Sequence, residues 1–351
     1  YGARSRDFVK SLIQLKDEKW DIKILPQKWG DCPWNFLSLD DPLRQRFIGG
    51  VDERNKPNIW IQITVPNEFQ SVGDFNIGVS AGIESTIYPG EFIEGSNRMD
   101  LNLVSSNHSK DVALGTQFDK IDSRNQQKVG TTKLEKPTEV LFEGLDLTKY
   151  NKNPQNSGLL KNIHEDFCFL YTGHWLPGDF GEDRKNTGLM VKTFLETFKG
   201  GGKKKPALIL KTNMVNYSLL DREEILRRVN MIKDEVSEVS NILPNIYVLH
   251  GEMTDDEMNQ LNNDNKIKAF VSFTKGEGYG RPLAEAAITG KPTIVSNWSG
   301  HVDFIHPEYN VLIGGDLKKV HKTAANQFLL KDSQWFNINT DIASRAMKDV
   351  V

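Results

Sequence analysis

Cysteine is nearly absent from this chain: 351 residues hold only Cys32 and Cys168, far apart in sequence. That excludes a disulfide-stapled fold and suits a reducing compartment. It also leaves no cysteine spacing of the kind that ligates a metal. The seven histidines form no His-x-x-x-His pair, and no Asp-x-Asp follows an apolar strand, so no obligatory metal is expected. Charge of one sign is missing too. The formal net charge is −3, which gives no global attraction to nucleic acid or to an anionic membrane. No apolar run approaches the length of a spanning helix and no signal peptide is visible, so the expectation is a cytoplasmic protein without a transmembrane segment.

What is present fits an enzyme built on alternating strands and helices. A length of 351 residues with 38% hydrophobic content favours two domains over one. The chain begins abruptly with Tyr1-Gly2-Ala3-Arg4-Ser5, which reads as a loop before a helix, with a strand expected upstream. That helix is predicted from about Ser5, with Phe8, Val9, Leu12 and Ile13 on one face. Strands are predicted at Trp20–Leu25, Asn58–Ile63, Asn76–Ser80 and Leu101–Ser105. The polar, turn-rich run from Lys149 to Gly158 reads as a linker.

The second half repeats the alternation. Strands are predicted at Phe167–Tyr171, Ala207–Leu210, Ile246–Leu249 and Ala269–Phe273. Helices are predicted at Leu189–Phe198, Arg222–Val239 and, capped by Thr254, Asp255–Leu261. The glycine-lysine run from Lys199 to Lys205 reads as a solvated loop. Strands at helix-length intervals imply doubly wound sheets, whose ligands sit at the carboxyl ends of the strands.

The stretch from Lys275 to Thr293 carries the most chemistry. Glu277 opens the glycine turn Gly278-Tyr279-Gly280, Arg281-Pro282 starts a helix, and Glu285 lies one turn in. Glycines let the backbone approach a ligand closely, proline suits the first helical turn, and free N–H groups at a helix start favour phosphate. Two carboxylates beside that turn accept hydrogen bonds from hydroxyls. A ligand with both phosphate and hydroxyls fits, and sugar nucleotides are such ligands. The bland alternative is a glycine-rich strand-to-helix turn whose glutamates simply favour the helix dipole.

Glu277, Gly278, Tyr279, Gly280, Pro282, Glu285, Ala286, Gly290 and Pro292 together resemble the donor motif of retaining glycosyltransferases of the GT-B fold, in the manner of glycosyltransferase family 4. Looser matches extend over most of the chain. Tyr1 to Arg6 is similar to the family's glycine loop, Ile83–Thr86 to a cleft-edge segment, Ser105–Lys110 to a turn into a helix, and Asp183–Asn186 to an Arg-Lys element. Where relatives carry Gly-Arg after the first donor-domain strand, this chain has Gly173-His174; where they carry a cleft histidine, it has Glu84.

The resemblance implies two facing Rossmann-like α/β domains with a cleft between them. Residues 1–148 would be the acceptor side and residues 149–331 the donor side, with a tail at about 332–351 packing back on the first domain through Trp335, Phe336, Ile338, Ile342 and Met347. It implies transfer of a hexose, glucose first, from a UDP-linked donor to a carbohydrate, lipid-linked or other hydroxylated acceptor. Glu277 would hold the transferred sugar, Lys185 and Arg184 would neutralise the departing diphosphate, and Glu84 is the carboxylate a covalent route would need. Donor contacts would come from Glu285, Gly278, Tyr279, Gly280, Arg281, Lys211, Ser299, Gly300 and Gly2. One alternative is the same chemistry on hydroxymethylated DNA, with Arg4, Arg6, Arg44, Arg46, Arg98 and Lys110 as the basic patch. Another is an inactive module that binds a sugar nucleotide.

Overall fold

The structure is a computed structural model that describes residues 1–15, 19–27, 37–52, 54–155, 157–200, 205–214, 217–237 and 242–351. Cys32, the middle of the glycine-lysine run and the end of the helix predicted to Val239 lie outside the described residues. The chain divides into two compact units. Unit 1 comprises Tyr1–Ala81, Gly90–Val104 and Thr116–Gly144, and unit 2 comprises Gly82–Pro89, Ser105–Gly115 and Leu145–Val351. Two stretches expected in the first domain therefore group with the second.

In unit 1, α1 (Gly2–Gln14) precedes β1 (Ile59–Ile63), β2 (Phe75–Val79), α2 (Gly90–Ser96) and β3 (Leu101–Val104). The hairpin strands β4 (Gln117–Ile121) and β5 (Lys128–Lys133) and then β6 (Thr138–Val140) follow. The sheet order is β1-β2-β3-β6, all parallel. Phe69, Val79, Phe92, Ile93, Met99 and Val104 are buried around it.

Two expectations fail in this unit, and one element was not foreseen. Helix α1 starts at Gly2, because Ser5 N–H already bonds the Tyr1 carbonyl at 2.9 Å. Gly2 therefore stands in a first helical turn and not in a loop. The strand predicted at Trp20–Leu25 is reduced to one bridge, Ile24 to Phe47, since no strand runs along its length among the described residues. The hairpin β4–β5 was not foreseen, because its residues are mostly exposed and polar.

Four arginines of the supposed basic patch hold this unit's own backbone. Arg4 is buried and donates to the Ser80 carbonyl and, at 3.1 Å, to that of Leu141, with Glu143 at 3.7 Å. Arg98 donates to Phe69 and Asn67, Arg44 to Leu37, and Arg46 to Ile22.

Unit 2 begins with α3 (Asn107–Gly115), then β7 (Cys168–His174), α4 (Thr187–Phe198), β8 (Ala207–Asn213), α5 (Leu219–Ser237) and β9 (Ile246–Leu249). It continues through α6 (Asp255–Asn263), β10 (Ile267–Ser272), α7 (Arg281–Ala287), β11 (Thr293–Ser296) and β12 (Val311–Ile313). The hairpin β13 (Gly315–Lys319) with β14 (Gln334–Ile338) and then α8 (Thr340–Asp349) complete it. The parallel six-stranded sheet has the order β12-β11-β10-β7-β8-β9. Renumbered within the unit this is 3-2-1-4-5-6 read from β9, the doubly wound order.

Strand alternation splits the core between the two faces of the sheet. Phe169, Tyr171, Leu208 and Leu210 pack with Val191, Phe194, Ile225 and Val229 on one face. Cys168, Leu170, Ile209 and Phe270 pack with Leu160 and Leu261 on the other. Every residue of β8 is buried, as a central strand covered on both faces should be. Thr254 and Glu257 form a reciprocal capping box on α6.

The tail belongs to unit 2. Phe336, Ile338, Ala343, Ala346 and Met347 lie in the same core cluster as Phe194, and Thr197 Oγ1 donates to Ser344 Oγ at 2.8 Å. The predicted return to the first domain is corrected by this packing. Burying apolar side chains is favourable, and α8 finds its apolar cover on α4, although Ile342 stays 38% exposed. Among the described residues no helix is long and apolar enough to cross a membrane.

Candidate active site

The strand order reverses direction between β7 and β10, which pair directly. At such a switch point the loops leaving the two carboxyl ends diverge to opposite faces and open a crevice. The loop after β7 carries Asp183, Arg184 and Lys185; the loop after β10 carries Lys275 to Gly280. The two predicted catalytic segments therefore meet because of sheet topology, although 92 residues separate Lys185 from Glu277.

Glu277 is the centre of the cluster. It is 7% exposed, with Lys185 Nζ at 2.5 Å from one oxygen and Arg184 Nη1 at 3.3 Å from the other. Burial alone would raise its pKa, but the charges of Lys185 and Arg184 outweigh that and bring it down to about 2. Lys185 shifts below the ordinary lysine value because loss of hydration exceeds the help from Glu277. Arg184 goes the other way: burial opposes its charge, and Glu84 and Glu277 more than restore it. The Glu84 carboxylate stands 3.6 Å from Arg184 Nη2, so all four predicted catalytic residues fall into one ionic network.

Backbone tethers set the geometry. Arg184 Nη1 donates to the Gly276 carbonyl at 2.8 Å, and Lys275 N–H donates to the Arg184 carbonyl at 2.7 Å. A side chain at Gly276 would put its Cβ 2.0 Å from the Glu84 carbonyl oxygen, so only glycine lets these segments touch. Gly280, at φ 99°, turns the chain into α7 in a left-handed conformation that glycine adopts without strain. The Glu277 N–H donates to Ser299 Oγ at 2.9 Å, and Gly300 N–H donates to the Glu277 carbonyl at 2.9 Å. Gly300 thus secures the loop with the N–H expected to bind phosphate.

The remaining donor-binding candidates spread out. Glu285 is buried at 9% exposure and accepts from Arg281 Nε at 2.9 Å. Tyr279 packs its ring against Phe304 at 4.8 Å. Lys211 stands apart within β8, where Nζ donates to the Gly251 carbonyl at 2.6 Å. It lines a cavity of about 290 Å³ with Leu159, Arg222, His250 and Met253. His174, at the end of β7, has Nδ1 3.2 Å from the Met214 carbonyl and 3.0 Å from Asn213 Nδ2; lost hydration and the nearby cations hold its pKa down against that carbonyl contact. Trp298 is packing, stacked on Phe336 at 6.3 Å and meeting the His108 edge at 4.6 Å.

Sequence reasoning gave no role to four supporting residues. Lys275 is fully buried, donates to Asn337 at 2.7 Å and lies 4.7 Å from the Trp335 ring centre. Its signal was a lysine three residues past the end of an apolar strand. Asp183 is 2% exposed, and burial pushes its pKa up to about 6. Ser105 and Ser109 donate to the Gly278 carbonyl at 3.0 and 3.5 Å.

No family model and no curated protein matches the chain. Among solved structures, sucrose-phosphate synthase from Thermosynechococcus elongatus aligns over 80% of this chain and 59% of its own, at 12% identity and a TM-score of 0.52. The fold is the GT-B glycosyltransferase fold. Anabaena HepE in complex with UDP and glucose aligns over 66% of this chain and 55% of its own, at 13% identity and a TM-score of 0.44. A trehalose-6-phosphate structure from E. coli, bound with UDP-2-fluoro glucose, aligns over 78% and 59%, at 11% identity and a TM-score of 0.47. This chain thus spans 55 to 59% of the length of these three chains.

Proposed function

We propose that this chain is a retaining glycosyltransferase that moves a hexosyl group from a nucleoside-diphosphate sugar, UDP-glucose first, to an acceptor hydroxyl. The observation that carries the reading is the ionised Glu277 held between Lys185 and Arg184 at the crevice of a doubly wound sheet. A carboxylate kept ionised accepts hydrogen bonds from sugar hydroxyls. The paired cations then meet the negative charge that develops on the leaving diphosphate, in a site shielded from water.

In the step itself the bond between the anomeric carbon and the phosphate oxygen breaks. The acceptor oxygen bonds that carbon on the same face, and its proton passes to the departing phosphate oxygen. No protein nucleophile is required. Glu84 supports this version, since its carboxylate serves as a counter-ion to Arg184; we assign it the positioning of that arginine. Glu285 would accept from the ribose hydroxyls.

The DNA-acceptor reading is weakened by Arg4, Arg44, Arg46 and Arg98, which hold backbone carbonyls. The test is release of nucleoside diphosphate from UDP-, GDP- and ADP-glucose by the purified chain, with and without hydroxylated acceptors. Release by wild type and not by Glu277→Gln supports a transferase. Binding without release identifies the inactive module, and neither binding nor release overturns the reading.

A further inference from the structure

We infer that Ser105 is a positioning residue for the donor turn, acting through the Gly278 carbonyl. The inference rests on the reading above, in which Glu277 addresses the transferred sugar. Glu277's own backbone is held on both sides, by Ser299 Oγ and by Gly300 N–H. The next residue is a glycine, the residue with the widest choice of backbone conformations. Rotation of the peptide joining Gly278 to Tyr279 would carry the turn away from Lys185.

Two hydroxyls remove that freedom. Ser105 Oγ donates to the Gly278 oxygen at 3.0 Å and Ser109 Oγ approaches it at 3.5 Å, in surroundings where Ser105, Ser106 and Ser109 are all fully buried. Ser109 is itself fixed, accepting from Ser106 Oγ at 2.9 Å and from Ile83 N–H at 3.1 Å. Asn107, at the start of α3, is anchored by Asp303, which accepts its N–H at 2.8 Å. A trans peptide is planar, with C=O and N–H opposed. Fixing the Gly278 oxygen toward the serines therefore fixes the Tyr279 N–H away from them and sets the direction in which the turn enters α7.

Ser105 touches no reacting atom in this scheme, so its effect should fall on turnover and spare nucleotide binding. The experiment compares Ser105→Ala with wild type in UDP-glucose turnover, UDP affinity by calorimetry, and thermal unfolding. UDP lacks the sugar and so reads the nucleotide contacts alone. The expected result is a kcat lowered by about tenfold or more, the size of one lost buried hydrogen bond, with UDP affinity within about twofold. A kcat within twofold of wild type overturns the inference. So does a parallel fall of kcat, UDP affinity and melting temperature, which would mark general loosening. A wild-type chain that turns over no nucleotide sugar overturns the reading beneath it as well.

Discussion

Replacing Glu277 by glutamine keeps the shape of the side chain and removes its charge from between two largely buried cations. Lys185 and Arg184 have side chains 12% and 19% exposed, and removing one partner of a buried ion pair costs about 3–5 kcal/mol. The expected loss lies near 3 kcal/mol, the lower end of that range, because Arg184 keeps Glu84 and the Gly276 carbonyl as partners. Urea unfolding followed by intrinsic tryptophan fluorescence, to which Trp175, Trp298 and Trp335 of unit 2 contribute, measures it. The pH dependence gives a second signature. Glu277 has a folded pKa of about 2 against an ordinary 4.5, so its contribution is complete above about 4.5 and is lost as pH falls toward 2. The gap between wild type and Glu277→Gln should therefore be constant from pH 7 to about 5 and narrow below. A gap under about 1 kcal/mol at pH 7, typical of an exposed pair, or one that does not narrow in acid, refutes the buried network.

Three other outcomes are expected. Glu285→Ala should raise the dissociation constant of UDP by about tenfold or more, since hydrogen bonds to a charged acceptor are worth roughly 1.5–3 kcal/mol; unchanged calorimetry would remove Glu285 from ribose binding. Gly276→Ala should lower stability by about 1–3 kcal/mol together with turnover, because the new Cβ meets a backbone carbonyl at 2.0 Å; a variant with wild-type melting temperature and rate would contradict the close packing. Turnover should persist in excess chelator, and complete loss restored by manganese or magnesium would show that Lys185 and Arg184 do not neutralise the diphosphate alone.

The second half of the fold was legible because its strands are continuous apolar runs between amphipathic helices. Ala207–Leu210 and Ala269–Phe273 announce buried parallel strands, and Glu277 to Pro292 announces a turn into a helix. Nothing in those runs reveals that β7 and β10 are neighbours, and that adjacency is what joins Lys185 to Glu277. The tail illustrates a different limit. Trp335, Phe336 and Met347 state that they will be buried, but apolar spacing carries no address, and α8 settles on α4. Trp20–Leu25 has the right alternation, yet among the described residues it finds only the bridge from Ile24 to Phe47. The exposed hairpin β4–β5 has no apolar face to betray it.

The assignment of Gly82–Pro89 and Ser105–Gly115 to unit 2 has a consequence for how the protein can be made. Unit 2 is not a contiguous piece of sequence, so an expression fragment starting at Leu145 would omit Glu84, Ser105 and Ser109 and leave Arg184 and the Gly278 carbonyl without those partners. During synthesis the order is equally awkward. Ser105 leaves the ribosome 173 residues ahead of Gly278, and closing so long a loop must precede any reward from the contact. Most of unit 1 can gather while those two stretches wait. The partner of Ser105 in the glycine turn is therefore synthesised only after all of unit 1.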